Sequence, residues 1–600
     1  MTDETRDRGT AAPRQDRVAA ARAGKGAAGT NRPDRPLTRI RPDRYLLAAV
    51  PPADGRAVIG QLENDRSCRV VRTLSGSGSR SGFPDIAVLE MTPEHAGLLA
   101  ACPGIHIEPD YTAGLGYGTA RRARAHAMLP AVTTQRVAFE VLDDGMHPVE
   151  GAAITMTDSR SGFPATGFTG PDGRAELTVP PQMLTDPTAI EVHPPRGCWP
   201  ARVRRPLLGA GDPVRVVCTR ITTTYPEFPE RALDSWGARV MGFGRLPPTY
   251  RGNGVRVALI DSGVAAGHPD LSGLLEHGRD LSRSLAVRDE KKGWQEDLIG
   301  TGTHHATLIA GRDDDSGIVG LAPEAEIHVC RVSPGGSAAD LIEALDYCID
   351  QHVDVAMFGA CIPEPSALLA AKVEEAWQNG IVCIAAADSG GPGWPAALPQ
   401  VLAVGAIGQL GTFPPGDTDT ATLTAQLTPE GFFVPAFDRE TSPVFGGGQE
   451  FSAVDCCAPG VAVISGLPPA SYGPLSGTGT AAAHVTALAA LILAHHPLFR
   501  REPGRPDMSR DSARPARLLE VIKGSCRPLP QLDPARTGAG MPDAAVALSV
   551  APWATHPPLS MPYPAPAPTP DGRTPHEPLT AAMQAAGLIA GDKPLGSPGL

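Results

Sequence analysis

The N-terminus, MTDETRDRGTAAPRQDR, lacks an apolar run of signal-peptide length, so no secretory leader is expected. No stretch of about 18 uninterrupted apolar residues is present, and no membrane partner is expected. Basic excess is absent too: the formal net charge is −12 and the pI is near 5.8. That balance gives no support for a nucleic-acid partner, which usually meets a basic face. The eleven cysteines are scattered and odd in number, and they include the adjacent pair Cys456–Cys457. None forms a CxxC or a Cys/His ligand spacing. The expectation is therefore reduced, mostly buried thiols in a cytoplasm, with no disulfide framework, no metal and no cofactor.

What is present is ordinary globular material, with 42% hydrophobic residues and a length that implies two to four domains. The 67 glycines and 63 prolines make up more than a fifth of the 600 residues, so loops and linkers must be long. Residues 1–40, rich in Arg, Ala, Gly and Pro, are expected to be disordered. Residues 41–112 change character. Strands are predicted at Tyr45–Val50, Cys68–Leu74, Ile86–Met91 and Ile105–Glu108, with helices at Asp54–Leu62 and from Thr92-Pro93-Glu94, a cap followed by Pro and an acid. This small α+β module resembles an inhibitor-type propeptide. Residues 135–222 read as short alternating strands, with a turn at Gly170-Pro171-Asp172-Gly173. They resemble the β-sandwich of carboxypeptidase regulatory-like modules. From 231 to 550, apolar runs (Val255–Ile260, Ile327–Val332, Val353–Phe358, Ile381–Ala386, Val401–Ile407) alternate with helical patterns at Ala338–Gln351 and Ser366–Asn379. Runs of that kind mark strands buried on both faces, so the fold class is α/β with a doubly wound parallel sheet. Residues 408–450 read as an irregular insertion, 551–577 as a Pro-rich linker and 578–600 as a short helix and tail.

Three motifs carry a family resemblance. The run GVRVALIDSGVAAGHPDL delivers Asp261 at the end of a buried strand, followed by His268-Pro269-Asp270-Leu271. The run GTGTHHATLIAG holds Gly302, Thr303, His304 and Ala306. The run LSGTGTAAAHV holds Ser476, Gly477, Thr478, Ala481, His484 and Val485. Together these resemble the subtilisin-like serine peptidases, in which an Asp-Ser/Thr-Gly segment, Gly-His-Gly-Thr-His-Val-Ala-Gly and Ser-Gly-Thr-Ser-Met-Ala-x-Pro-His-Val supply the triad. The resemblance keeps Asp261 as the triad acid. It places Thr301 where the family has its general base and Gly479 where it has its nucleophile. In AAADSGG it puts Ser389, next to Asp388, at the oxyanion position usually held by Asn. A threonine hydroxyl has no useful pKa near neutrality, and glycine offers no side chain to acylate. The groove strand, usually Ser-Leu-Gly, is Phe358-Gly359-Ala360, with the phenyl ring expected to crowd the specificity pocket.

These departures predict a peptide- or protein-binding pseudo-protease rather than a working peptidase. One alternative is a relocated site. His305 lies one turn from Thr301, and Thr478 and Thr480 flank Gly479, although a one-turn shift displaces an imidazole by about 5.4 Å along the axis. The other alternative is an active partner enzyme that completes the site. Asp261 is expected to accept hydrogen bonds from Thr301 or His305, and His304 and His484 to be packing histidines. Asp313-Asp314-Asp315 is expected to be a solvated loop. The sequence leaves the oligomeric state open.

Overall fold

The architecture below comes from a computed structural model that describes residues 40–49, 54–74, 84–115, 134–158, 165–185, 187–204, 213–282, 292–387, 393–419, 423–424, 426–436, 454–499 and 510–552. The segments 1–39 and 553–600, which hold all but Ile40 of the stretch expected to be disordered, the linker from 553 on and the terminal helix and tail, lie outside the described residues.

The N-terminal unit is β1 (Ile40–Ala49), α1 (Gly55–Leu62), β2 (Cys68–Leu74), β3 (Ile86–Met91), α2 (Pro93–Ala100), β4 (Ile105–Tyr111) and the short β5 (Gly114–Leu115). Its antiparallel sheet runs β2-β3-β1-β4. Side chains alternate across it. Leu47, Ala87 and Leu89 meet Ile59 and Leu62 of α1 and Ala96 of α2. Leu46, Ala48, Ile86 and Val88 face the other way, into the core of the large domain. The sequence placed the first strand late, because Ile40–Arg44 carries no apolar alternation; it begins at Ile40. The strand predicted to end at Glu108 continues to Tyr111, paired with β1.

The middle unit has two sheets around one apolar core. One runs β11 (Ala201–Arg204)-β10 (Pro187–His193)-β7 (Ala153–Asp158)-β8 (Ala165–Phe168), and the other β12 (Val214–Cys218)-β6 (Gln135–Asp143)-β9 (Arg174–Val179).

In the large domain the sheet order is β14 (His277–Asp280)-β15 (Glu326–Arg331)-β13 (Arg256–Asp261)-β16 (Val355–Phe358)-β18 (Val382–Ala386)-β19 (Val401–Gln409), with β21 (Cys456–Pro459) parallel to β19. Helices α3 (Thr301–Ala310) and α6 (Thr478–His495) cover one face. Helices α4 (Ala338–Asp350) and α5 (Ala367–Gln378) cover the other, and α7 (Ala513–Gly524) packs outside α6. Val257 and Leu259 point to the first face, Ala258 and Ile260 to the second. That two-sided burial is why the strand reads as a continuous apolar run. The chain leaves β13 in one direction for β14 and β15 and in the other for β16. Asp261 therefore sits at the carboxyl end of a strand beside the switch point, where such sheets place their sites. By length and composition α6 could cross a bilayer, but 94% of it is buried inside this domain. The insertion expected to be irregular is partly ordered: Phe432–Phe433, here β20, pairs antiparallel with the end of β19. Two adjacent buried rings, at 0% exposure, show no alternation by which a strand could have been recognised.

Candidate functional site

Asp261 is fully buried and accepts from three neighbours. The Ser262 amide reaches Oδ1 at 2.7 Å, the Thr301 hydroxyl donates to Oδ1 at 2.6 Å, and His305 Nδ1 lies 2.9 Å from Oδ2. Burial alone would raise the carboxyl pKa. The His305 imidazole, the Thr301 hydroxyl and the Ser262 amide outweigh it and hold Asp261 below its ordinary value. An ionised carboxylate only accepts, so Nδ1 carries the proton of this contact. Nε2 lies 3.5 Å from Thr480 Oγ1, at the long end for a hydrogen bond. The hydroxyl of Thr478 is buried with no hydrogen-bond partner among the described residues.

The structure thus gathers Asp261, Thr301, His305, Gly479 and Thr480 at the N-terminal ends of α3 and α6. The expected one-turn displacement of the imidazole did not carry it out of reach of Asp261. A Cβ at Gly479 would stand 2.9 Å from His305 Cε1 and 3.3 Å from Nε2. The glycine leaves the space that the ring fills. Gly359 is needed for a similar reason, since a Cβ there would lie 1.8 Å from Asp261 Oδ2. The arrangement has the order of an acid, an imidazole and a hydroxyl. It is sealed, however, with His305 only 4% and Thr480 only 2% exposed. Ser389 and Asp388 lie outside the described residues.

Asp297 fixes the start of α3. One carboxylate oxygen accepts from the Ser262 hydroxyl at 2.8 Å and the Gly300 amide at 2.7 Å; the other accepts from the Thr303 amide at 2.9 Å and the Thr303 hydroxyl at 2.7 Å. Burial raises its pKa against these bonds. Sequence reasoning missed this residue, although an Asp shortly before a Thr-rich helix start is a capping signal. His304 Nε2 donates to the Val463 carbonyl at 2.8 Å and His484 Nδ1 to the Thr480 carbonyl at 3.0 Å. Burial pushes these imidazoles down to about 3 and about 4, so both are neutral.

The backbone edges beside this cluster are paired with the chain's own N-terminal unit. Leu115 pairs with Ala360 and Gly114 with Cys361, the two residues of β17 (Ala360–Cys361). On the other side Thr112 bridges Ser337, and the Ala113 amide donates to the Gly336 carbonyl at 2.9 Å. Phe358, expected to crowd a pocket, is 1% exposed and belongs to the apolar cluster that also contains Ala113 and Ile260. The unit is tied down by carboxylates placed on helix N-termini, where free amides and the helix dipole favour negative charge. Glu108 accepts from the Ala367 amide at 2.9 Å and from the Ser366 hydroxyl at the start of α5. Asp110 accepts from the Ala339 amide at 3.1 Å at the start of α4. Arg72 of β2 pairs with Asp340 and Glu343. No sequence signal marked this two-residue strand. The aspartate run behaves as a surface loop, in which Asp313 pairs with Arg251 and Asp314 with Ser316.

A profile of the subtilase family (peptidase S8) matches residues 252–514. Subtilisin of Bacillus pumilus is 31% identical over 260 residues, which span 42% of this chain and 80% of that protein. The chain belongs to the subtilase family. The major intracellular serine protease of Bacillus subtilis (strain 168) is 28% identical over 290 residues, 46% of this chain and 79% of its own. An intracellular serine protease of Paenibacillus polymyxa is 30% identical over 287 residues, covering 46% and 74%. Within the subtilase match lie Asp261, Thr301 and Gly479. The N-terminal and middle units precede it.

Proposed function

We propose that this subtilase is a catalytically inactive, peptide- or protein-binding pseudo-protease of the cytoplasm. The observation that carries the reading is Gly479, with the His305 ring in the space a nucleophile's side chain would need. In this chemistry, loss of the nucleophile or the base alone costs on the order of a million-fold in turnover. Here Thr301 has replaced the base as well, and Ser389 stands at the oxyanion position. Residues 41–112 act as a propeptide-like module that is never released, and 135–222 act as a carboxypeptidase-regulatory-like sandwich that stabilises or binds. The ligand is an extended peptide segment competing for the Ala360–Cys361 edge that Gly114–Leu115 occupies. Two relatives described as intracellular support the compartment.

A second reading rests on the contacts of His305: an active peptidase with Asp261, His305 and Thr480 as its relocated triad. A third leaves the site to be completed by an active partner enzyme. Intact mass of the purified chain, followed by incubation with a mixed peptide library, separates them. An unprocessed 62.4 kDa chain and an untouched library support the pseudo-protease. Cleavage abolished in both Asp261→Ala and His305→Ala overturns it in favour of the relocated site. Cleavage seen only after adding cell extract favours the partner-completed one.

A further inference from the structure

The N-terminal unit carries a donor set that the subtilase site does not use. Among the described residues, Asp65, Cys68 and His95 form a group whose ligand atoms all lie within 4.8 Å of one another. Asp65 lies in the α1–β2 loop, Cys68 opens β2, and His95 lies in the first turn of α2. Thr92 fixes that turn by capping the His95 amide at 3.3 Å. The Ser67 amide takes one oxygen of Asp65 at 2.8 Å. The other oxygen, Oδ2, faces His95 Nε2 at 3.3 Å. That nitrogen is shielded from solvent and, among the described residues, makes no hydrogen bond of good geometry, so imidazole nitrogen and carboxylate oxygen face each other at ion-pair distance with the thiol beside them. Cys68 Sγ makes a long contact to the Leu62 carbonyl, 3.5 Å. The cluster thus brings an imidazole nitrogen, a carboxylate oxygen and a thiol to one point.

We propose that Asp65, Cys68 and His95 bind a zinc ion, with water as the fourth ligand. One thiolate, one imidazole and one carboxylate are all accepted zinc donors, and the thiolate selects against magnesium and calcium. Bond lengths of about 2.0–2.3 Å in a tetrahedron place the donors about 3.3–3.8 Å apart, so small side-chain rotations close the observed set. On binding, the Cys68 thiol loses its proton to solvent and forms the S–Zn bond; no redox change is involved. The ion staples α2 to β2 and to the loop after α1. These lie on the face of the sheet opposite the one that packs on α4 and α5. Its effect is therefore to stiffen the unit that holds Thr112–Leu115 in the groove, whether or not the site cleaves anything.

The test uses the full chain, stripped with a chelator and titrated with cobalt(II) and then zinc. The wild type is expected to take up one equivalent and to show a thiolate-to-cobalt charge-transfer absorption that zinc abolishes. Cys68→Ser should lose the band, and His95→Gln should bind at least tenfold more weakly. Cys102→Ser, which alters an exposed cysteine of the same unit, should match the wild type. Circular dichroism checks that each variant is folded; if Cys68→Ser is not, His95→Gln decides alone. A wild type without the band overturns the proposal, as does a folded His95→Gln with unchanged affinity.

Discussion

The His305 imidazole and the missing side chain of Gly479 are two halves of one packing arrangement: a Cβ at 479 would come within 2.9 Å of the ring. The ring is also anchored, because Nδ1 holds Asp261 at 2.9 Å and so cannot swing away without breaking a buried bond. Gly479→Ala should therefore destabilise the protein by about 1–2 kcal/mol through crowding, even though alanine is the better helix former by about 1 kcal/mol. In a His305→Val background the same change should be neutral or stabilising. Urea unfolding of the four proteins in the cycle measures the coupling. Additive effects would show that ring and glycine are independent.

Asp261 takes three buried donors on one carboxylate. Asp261→Ala strands the Thr301 hydroxyl, the Ser262 amide and His305 Nδ1, and should cost about 3 kcal/mol or more. Thr301→Val removes one bond and should cost about 1 kcal/mol. Denaturant midpoints in that order would identify Asp261 as a structural hub; an Asp261→Ala protein as stable as the wild type would contradict this.

The sheet and its helices were legible because two-sided burial writes itself as apolar runs such as VRVALI, and capped amphipathic segments mark α4 and α5. That Thr301 and Gly479 belong to one site with Asp261 was legible because the motif residues Gly302-Thr303-His304 and Ser476-Gly477-Thr478 adjoin them. Asp261 was expected to meet Thr301 or His305; that both reach it at once was not legible. Spacing gives the rise along a helix axis, but not where a ring lies once a neighbouring Cβ has been removed. Nor could spacing bring Asp65 and Cys68 together with His95, which depends on how α2 packs on its sheet. Gly114–Leu115 is too short to show periodicity, and its pairing is decided by the edge it meets.

Docking of the N-terminal unit rests on its carboxylates. Glu108 serves three donors at the start of α5, the Ser366 hydroxyl and the Ala367 and Leu368 amides, whereas one oxygen of Asp110 is buried without a partner among the described residues. Removing Glu108 should therefore loosen the unit more than removing Asp110. Glu108→Ala is expected to cost about 1–2 kcal/mol, within the range for helix caps, and Asp110→Asn less. Hydrogen exchange at Gly114 and Leu115 reads the opening, with roughly tenfold faster exchange in Glu108→Ala for each 1.4 kcal/mol. Equal protection in both variants would mean that apolar contacts alone hold the unit.

Acid sensitivity follows from the two neutral histidines. Burial holds His304 near 3 and His484 near 4, against an ordinary value of 6.5 for each. Between those limits the unfolded chain binds more protons than the folded one, so stability rises with pH. The contribution is full above about pH 6.5 and is lost as the pH falls through 6 towards 4, by about 1.4 kcal/mol per pH unit for each imidazole. Buried carboxyls act in the opposite sense. Asp110 and Asp297 are raised by burial, and Asp419 is pushed up to about 6, so they take up protons in the folded state and partly offset the loss. The histidine contribution is therefore read as a difference. The unfolding free energy of His484→Gln should fall less steeply than that of the wild type between pH 6 and pH 4, by about 1.4 kcal/mol per unit. Parallel profiles would mean that His484 is protonated in the folded protein, contrary to its full burial among apolar neighbours of α6.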